Sequence, residues 1–218
     1  MKSSNNSHAD QYVPLVSIGM PVFNSEATLR TAIDSLLEQS FADFELIISD
    51  NGSTDSTSAI CQQYANKDSR IIYIRQPVNI GATQNFKFVF DQGKGQYFLW
   101  AAGDDVRSSD FLEENVQFLE THADYVASTS LNCFEDQEPV GDSLVTFEIV
   151  GTVEERFMLF FDNCWRSHGI FYSVFRKDIL GDCEFVGSSF TAFDWAIDLF
   201  LIKHGNVHRT AKGLTTIG

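Results

Sequence analysis

The segment VSIGMPVFNSEATLRTAIDSLLEQSFADFELIISDNGSTDST, residues 16–57, decides the fold because it alternates between two kinds of apolar pattern. The apolar run over residues 15–20 predicts a buried strand. Residues 27–39 place apolar side chains three and four positions apart, which predicts an amphipathic helix. Residues 44–49 predict a second strand, and residues 55–65 a second helix. This order is typical of parallel strands joined by right-handed crossovers.

The same alternation continues for another 60 or so residues along the chain. The next predicted elements are a strand at residues 70–75, a helix at 82–92, a strand at 97–102 and a helix at 109–120. Helices that connect parallel strands cover both faces of the sheet. The sequence therefore predicts an α/β fold with a Rossmann-like, mostly parallel sheet.

The rhythm changes after about residue 125. The predicted elements of this second half are strands at residues 125–130, 143–150 and 169–175, and helices at residues 153–161 and 195–204. No polar linker rich in proline and glycine divides the two halves, so we expect a mixed C-terminal extension of the first sheet. Residues 15–218 are thus predicted to form a single domain.

Composition excludes several classes of function. Asp and Glu number 30 against 15 Lys and Arg, so the formal charge of −15 disfavours a nucleic acid partner. No apolar stretch approaches the roughly 20 residues of a membrane span. Residues 1–14 are polar and are expected to form a mobile tail, without the apolar core of a signal peptide. We expect a cytoplasmic protein of undetermined oligomeric state.

Polar residues follow three of the predicted strands, where ligands bind in parallel sheets. PVFNSE, residues 21–26, follows the first strand; its proline is expected to block further pairing, and its asparagine or serine to cap the next helix. DNGSTD, residues 50–55, follows the second strand, and Gly103-Asp104-Asp105 the fourth. Each is compatible with a plain turn. Their shared edge predicts one cleft, in which adjacent carboxylates serve a divalent cation and a sugar hydroxyl.

These residues carry a family resemblance. Residues 16–57 resemble the opening of a family 2 glycosyltransferase with the GT-A fold, and YFLWAAGDDVRSSDFLEENVQFLE, residues 97–120, resembles that family's DXD-type strand end and following helix. The match is close over residues 16–120 and loose beyond. It implies a nucleotide-binding half, about residues 15–122, and an acceptor half, about residues 123–218.

The resemblance also implies a reaction. Such enzymes transfer a sugar from a nucleotide-diphosphate-sugar donor to an acceptor hydroxyl with inversion, in polysaccharide biosynthesis for example. The acceptor is a saccharide or a lipid-linked saccharide. The divalent cofactor is Mn²⁺ or Mg²⁺.

Site residues follow from the same resemblance. The positions that resemble those holding the base and ribose are Pro21, Val22, Phe23, Asn24 and Asp50, with Glu26 nearby. Asp104 resembles the residue that touches the ribose or donor sugar, and Asp105 resembles the metal ligand. We expect the Asp50 side chain to face the ligand rather than the core.

One position departs from the family pattern. The family usually shows two acidic residues before Gly-Ser, and here the second is Asn51, which keeps the shape and loses the charge. Residues 79–86 resemble the loop and helix that flank the nucleotide, with Asn85 on the helix and Gly81 allowing close backbone approach. A simple turn between strand and helix is the alternative.

An inverting transfer needs a general base on the acceptor side. Asp194, just before the predicted helix at residues 195–204, resembles that base, although its carboxylate also suits an N-cap. Asp198 is the rival, one helical turn later on the same face. His168 is a candidate contact to the acceptor or phosphate, or else a structural histidine.

Other functions fit the residues less well. A nucleotide-sugar binding module without turnover shares the donor site, so the sequence leaves it open. A nucleotidyltransferase normally has a Gly-rich, basic loop after the first strand. A Rossmann oxidoreductase needs a glycine fingerprint at that turn, which GMPVFNSE, residues 19–26, lacks.

Overall fold

The computed structural model describes residues 12–135, 147–164, 169–181, 183–184, 186 and 192–218. Three expectations lie outside these ranges: His168, residues 1–11 of the tail, and the start of the predicted strand at residues 143–150. Within the described residues, no helix has both the length and the apolar character needed to cross a bilayer.

The described elements follow the predicted alternation over residues 16–121, apart from a short strand at Val106–Arg107 that was not predicted. The strands are β1 Val16–Val22, β2 Phe44–Asp50, β3 Ile71–Arg75, β4 Tyr97–Trp100, β5 Val106–Arg107, β6 Tyr125–Phe134, β7 Val174–Arg176 and β8 Asn206–Ile217. The helices are α1 Leu29–Leu37, α2 Thr57–Ala65, α3 Ala82–Gln92, α4 Phe111–Thr121, α5 Val153–Asn163 and α6 Phe193–His204. A short 3₁₀ helix, Lys177–Leu180, follows β7.

All eight strands belong to one sheet in the order β3-β2-β1-β4-β7-β6-β8-β5. β1 pairs in parallel with β2 and β4, and β2 pairs in parallel with β3. β7 runs antiparallel to β4 and β6, and β5 runs antiparallel to β8. The prediction of a mostly parallel sheet with a mixed extension is confirmed.

Side chains that alternate along the central strands build two cores. Ile18 and Leu99 point to the face covered by α1, α2 and α4, and Phe98 and Trp100 point to the face covered by α3, α5 and α6. All four are fully buried. Each such side chain contributes about 1.5–3 kcal/mol when it leaves water. Helices therefore lie on both faces, as the periodicity indicates.

The expectation that Pro21 ends the first strand is wrong. β1 continues to Val22, and Pro21 pairs in register with Ser49. The backbone of Gly19 faces β4, since its carbonyl accepts from Ala101 N–H, and the alternation turns Pro21 to the same side. β4 ends at Trp100, so the missing N–H of proline removes no ladder hydrogen bond there.

Two predictions in the second half need correction. Of residues 147–150, Ile149 alone makes a bridge, antiparallel to Val207, instead of lying in a strand. Residues 169–172 form turns, so β7 begins only at Val174. Both segments are apolar because they cover the second core, where Ile149 and Phe171 are buried, and not because they extend the sheet.

Candidate functional site

The loops that follow β1 and β2 are fastened to each other. Asn24 N–H donates to Ser53 Oγ at 2.9 Å, and Asn24 Oδ1 accepts from Thr54 N–H at 2.9 Å. The Glu26 carboxylate accepts from Ser56 N–H at 2.9 Å. Asn24 also adopts a left-handed backbone conformation, φ 50°, which asparagine tolerates. The side chains of Asn24 and Glu26 therefore hold the two loops together.

The expected helix cap is wrong. The N-cap residue of α1 is Thr28, and it makes no side-chain capping bond. Instead, the Ser25 carbonyl accepts hydrogen bonds from Thr28 N–H and Leu29 N–H. The loop backbone therefore pairs with N–H groups at the start of α1.

Asp50 lies at the end of β2 with its side chain fully buried. One carboxylate oxygen accepts from Ser53 N–H at 2.8 Å, and the other accepts from Tyr73 Oη–H at 3.1 Å and lies 3.5 Å from Arg75 Nε. We expected this side chain to face the ligand, and in the structure it is enclosed by these protein partners. It fixes the turn that carries Asn51.

Asn51 joins that turn to the loop before α3. Its Oδ1 accepts from Ile80 N–H at 2.8 Å, while its Nδ2 donates to Asn79 Oδ1 at 3.0 Å and to the Gly81 carbonyl at 3.3 Å. A carboxylate accepts but cannot donate, so only the amide completes this set. Gly81 has φ +88°, a left-handed backbone conformation that favours glycine at this position.

A small cleft opens beside these loops, with a volume of about 150 Å³. Its lining residues are Pro21, Val22, Phe23, Asn51, Asn79, Ala82, Asn85 and Phe86. Asn85 is buried, and its amide exchanges hydrogen bonds with Ser49, donating to the carbonyl at 2.9 Å and accepting from Oγ at 2.6 Å. Five residues predicted for the nucleotide thus meet in one place.

A second space, which we call the acidic cavity, has a volume of about 440 Å³, and Phe86 lines both it and the small cleft. Its lining residues are Phe86, Asp105, Phe171, Tyr172, Ala192, Phe193, Asp194, Asp198 and Ile217. The structure therefore brings Asp105 and Asp194 to one cavity. Asp104 is exposed on the turn and does not line it. A larger open groove along α4, about 730 Å³, contains none of the predicted site residues.

Asp105 is buried beside Arg107, a residue that the sequence reasoning missed. Burial raises the pKa of the Asp105 carboxyl, and the Arg107 guanidinium, with Nη2 3.9 Å from Oδ2, opposes that shift. Arg107 is itself buried, donates to the Trp100 carbonyl at 3.4 Å and lies over the Phe111 ring. The sequence feature that could have identified Arg107 is its position two residues after an acidic pair at the end of a predicted strand.

Asp194 and Asp198 enter the acidic cavity from α6. The helix begins at Phe193 after Ala192, which is left-handed and makes no side-chain cap, so Asp194 is not an N-cap. It lies in the first helical turn, where the backbone dipole stabilises a negative charge. Asp198 lies one turn further on and is 3% exposed. Burial raises its pKa well above the usual range, and the Asp194 charge adds to the shift.

The residues of the acidic cavity suit a divalent cation only in part. Among the described residues, no three His, Cys, Asp or Glu side chains lie close enough to hold an ion together. Mg²⁺ and Mn²⁺ commonly bind through one or two carboxylates, with substrate phosphates completing the shell. Asp105 fits that arrangement because its carboxylate lines the cavity at a strand end.

Comparison with known families agrees with this geometry. The sequence model of glycosyl transferase family 2 matches residues 17–181. The chain belongs to that family. The match ends before α6, so it spans the small cleft and Asp105 but not Asp194.

Two curated relatives show how far the sequence similarity reaches. The chain is 36% identical over 125 residues to the putative glycosyltransferase EpsE of Bacillus subtilis, covering 56% of this chain and 45% of EpsE. It is 28% identical over 206 residues to the GalNAc(5)-diNAcBac-PP-undecaprenol beta-1,3-glucosyltransferase of Campylobacter jejuni. That match covers 92% of this chain and 64% of the relative, so the chain spans about half to two thirds of these proteins.

Solved structures confirm the predicted GT-A type of fold. The S. aureus TarS 1–349 structure in complex with UDP has a TM-score of 0.69 at 20% identity, covering 93% of this chain and 60% of TarS 1–349. The mannosyltransferase PcManGT from Pyrobaculum calidifontis, in complex with GDP-Man and Mn²⁺, has a TM-score of 0.67 at 14% identity. It covers 94% of this chain and 57% of PcManGT.

The Asn51 network predicts the effect of restoring the family's second acidic residue. In Asn51→Asp a buried carboxylate faces two acceptors, Asn79 Oδ1 and the Gly81 carbonyl, so the free energy of unfolding in urea should fall by about 1–3 kcal/mol at neutral pH. Gln62→Glu makes the same chemical change at an exposed site on α2 and should cost less than about 0.5 kcal/mol. Equal losses in the two variants would contradict the assigned network.

The raised pKa of Asp198 predicts a pH dependence of stability. The folded state keeps this proton longer than the unfolded chain, so the parent loses stability as the pH rises from about 4 through the folded pKa. Asp198→Asn cannot ionise, and its advantage over the parent should grow across that window. Urea midpoints measured at intervals from about pH 4 to about pH 8 test this. The exposed Asp162→Asn should track the parent; if Asp198→Asn does too, the assignment is wrong.

Proposed function

We propose that residues 15–218 form a glycosyltransferase domain that moves a sugar from a nucleotide-diphosphate-sugar to an acceptor hydroxyl. The observation that carries the proposal is that Phe86 lines both the small cleft and the cavity that contains Asp105 and Asp194. The UDP named in the TarS structure supports a nucleotide donor. The name of the Campylobacter relative supports a saccharide or lipid-linked saccharide acceptor.

The nucleotide is assigned to the small cleft, within the half formed by about residues 15–122. Asn51 and Asn85 both use their amides in protein hydrogen bonds, so they shape the cleft more than they offer donors to it. Pro21 and Val22 supply apolar walls, and the Phe23 ring is 46% exposed and available for stacking on a base. Asp50, Asn24 and Glu26 support the cleft from behind.

The diphosphate is assigned to the entrance of the acidic cavity. Asp105 would hold the divalent cation, Mn²⁺ or Mg²⁺, and the exposed Asp104 would meet the ribose or the donor sugar. A bound cation supplies positive charge that stabilises the departing nucleoside diphosphate. Arg107 lies behind Asp105 and keeps a positive charge within 3.9 Å of its carboxylate.

The chemical step is a single displacement with Asp194 as general base. The acceptor oxygen forms a bond to the anomeric carbon while the bond to the diphosphate oxygen breaks, and Asp194 takes the hydroxyl proton. Attack from the face opposite the leaving group inverts the anomeric centre. Asp194 lies in the first turn of α6 and lines the acidic cavity, where the acceptor hydroxyl would bind. His168, outside the described residues, stays a predicted contact to the acceptor or phosphate.

Metal dependence gives one test of this assignment. Calorimetry should show that UDP binds the parent more tightly with Mn²⁺ than without it, and that Asp105→Ala removes most of the difference because the cation loses its protein ligand. Asp178→Ala, at an exposed carboxylate on the 3₁₀ helix, should keep the parent's metal dependence. Equal affinity with and without metal in the parent would overturn the cation assignment.

The base assignment is tested with Asp194→Asn. Sugar transfer from UDP-GlcNAc, UDP-glucose or GDP-mannose to a panel of saccharides should fall by about 10² or more, which is the share that a positioned base contributes. Donor affinity and stability should change little, because Asn keeps the size of Asp. Asp162→Asn on α5 is the matched control. Transfer at the parent rate by Asp194→Asn would place the base elsewhere, with Asp198 next.

A further inference from the structure

Asp198 has no part in the displacement just described, yet its side chain lies in an environment typical of a ligand-binding group. The side chain lines the acidic cavity, is 3% exposed, and its Oδ1 has no hydrogen-bond partner among the described residues. An unpaired buried polar atom costs free energy that an apolar residue of the same size avoids. Native proteins rarely keep such an atom without an occupant that pairs with it.

The rest of the acidic cavity has the character of a sugar site. The rings of Phe86, Phe171, Tyr172 and Phe193 line it, and apolar rings pack well against the C–H faces of a pyranose. Binding pockets of this kind are mostly apolar and carry a few polar groups that fix the orientation of the ligand. Asp198 is one of those few groups, one helical turn deeper than Asp194.

We propose that Asp198 is a specificity-determining residue whose carboxyl group hydrogen-bonds a ring hydroxyl of the transferred sugar. The inference rests on the proposed function, since the sugar that follows a diphosphate held at Asp105 lies between that strand end and α6. A hydroxyl group both donates and accepts, so it pairs with a carboxyl group in either protonation state. Burial raises the pKa of Asp198, which suits a binding group better than a general base.

Two variants of equal size separate binding from shape. Asp198→Asn still donates and accepts, whereas Asp198→Leu fills the space and does neither. The probes are UDP and GDP against UDP-GlcNAc, UDP-glucose and GDP-mannose, with Mn²⁺ present and affinities measured by calorimetry. The affinity ratio of each nucleotide-sugar to its nucleotide reports the contribution of the sugar alone.

For the best-bound sugar, Asp198→Leu should lower that ratio by roughly tenfold, the equivalent of one hydrogen bond, while the affinity for the nucleotide itself stays unchanged. Asp198→Asn should keep the ratio within about threefold of the parent. The exposed Asp162→Leu is the control for a change from Asp to Leu and should leave both affinities unchanged.

The outcomes separate a failure of the role of Asp198 from a failure of the proposed function. An unchanged affinity ratio in Asp198→Leu overturns the role of Asp198 and leaves the proposed function standing. A loss of transfer by about 10² in Asp198→Asn with normal donor binding has the same consequence, because it identifies Asp198 as a base. If no nucleotide-sugar binds the parent, the proposed function fails and this role with it. If Asp198→Leu does not fold, the parent is tested with donors that each lack one ring hydroxyl of the sugar. Removal of one of these hydroxyls should lower the affinity for the donor. If no single removal lowers it, the role of Asp198 is overturned.

Discussion

The parallel pairing of β1 with both β2 and β4 is the constraint on which the site depends. Because the three strands run the same way in fixed register, their carboxyl ends meet at one edge. The polar groups of the loops beyond that edge must still find partners. Asn24 and Ser53 supply them across the gap between the first two loops, and this gives the small cleft a rigid wall.

Charge is the second constraint on the acidic cavity. Carboxylates one helical turn apart, such as Asp194 and Asp198, repel each other, and burial of one favours its neutral form. Asp105 lines the same cavity, and burial likewise favours its neutral form unless positive charge is near. Arg107 supplies part of that charge from behind. A cation that arrives with the donor would supply the rest on the cavity side, which couples the binding of metal and donor.

The sequence predicted the elements from β1 to α4, apart from β5, because local periodicity and strand-end positions carry that information. It also placed Asp105 and Asp194 in one site, through the resemblance. It could not show that Tyr73 and Arg75 contact the Asp50 carboxylate, because these contacts join residues more than 20 positions apart. The apolar residues before β7 and around Ile149 misled it for a related reason: covering a core and pairing in a sheet have similar local patterns.

The two halves of the site use their polar side chains differently. Around the small cleft, Asp50, Asn51 and Asn85 all have protein partners, so the side chains of this half build a scaffold. The family match covers that scaffold and stops at residue 181, twelve residues before α6 begins. Asp198, on α6, is buried, and its Oδ1 has no hydrogen-bond partner among the described residues. The choice of sugar is therefore expected to lie in the late helix, where the chain leaves the part of the sequence that defines the family.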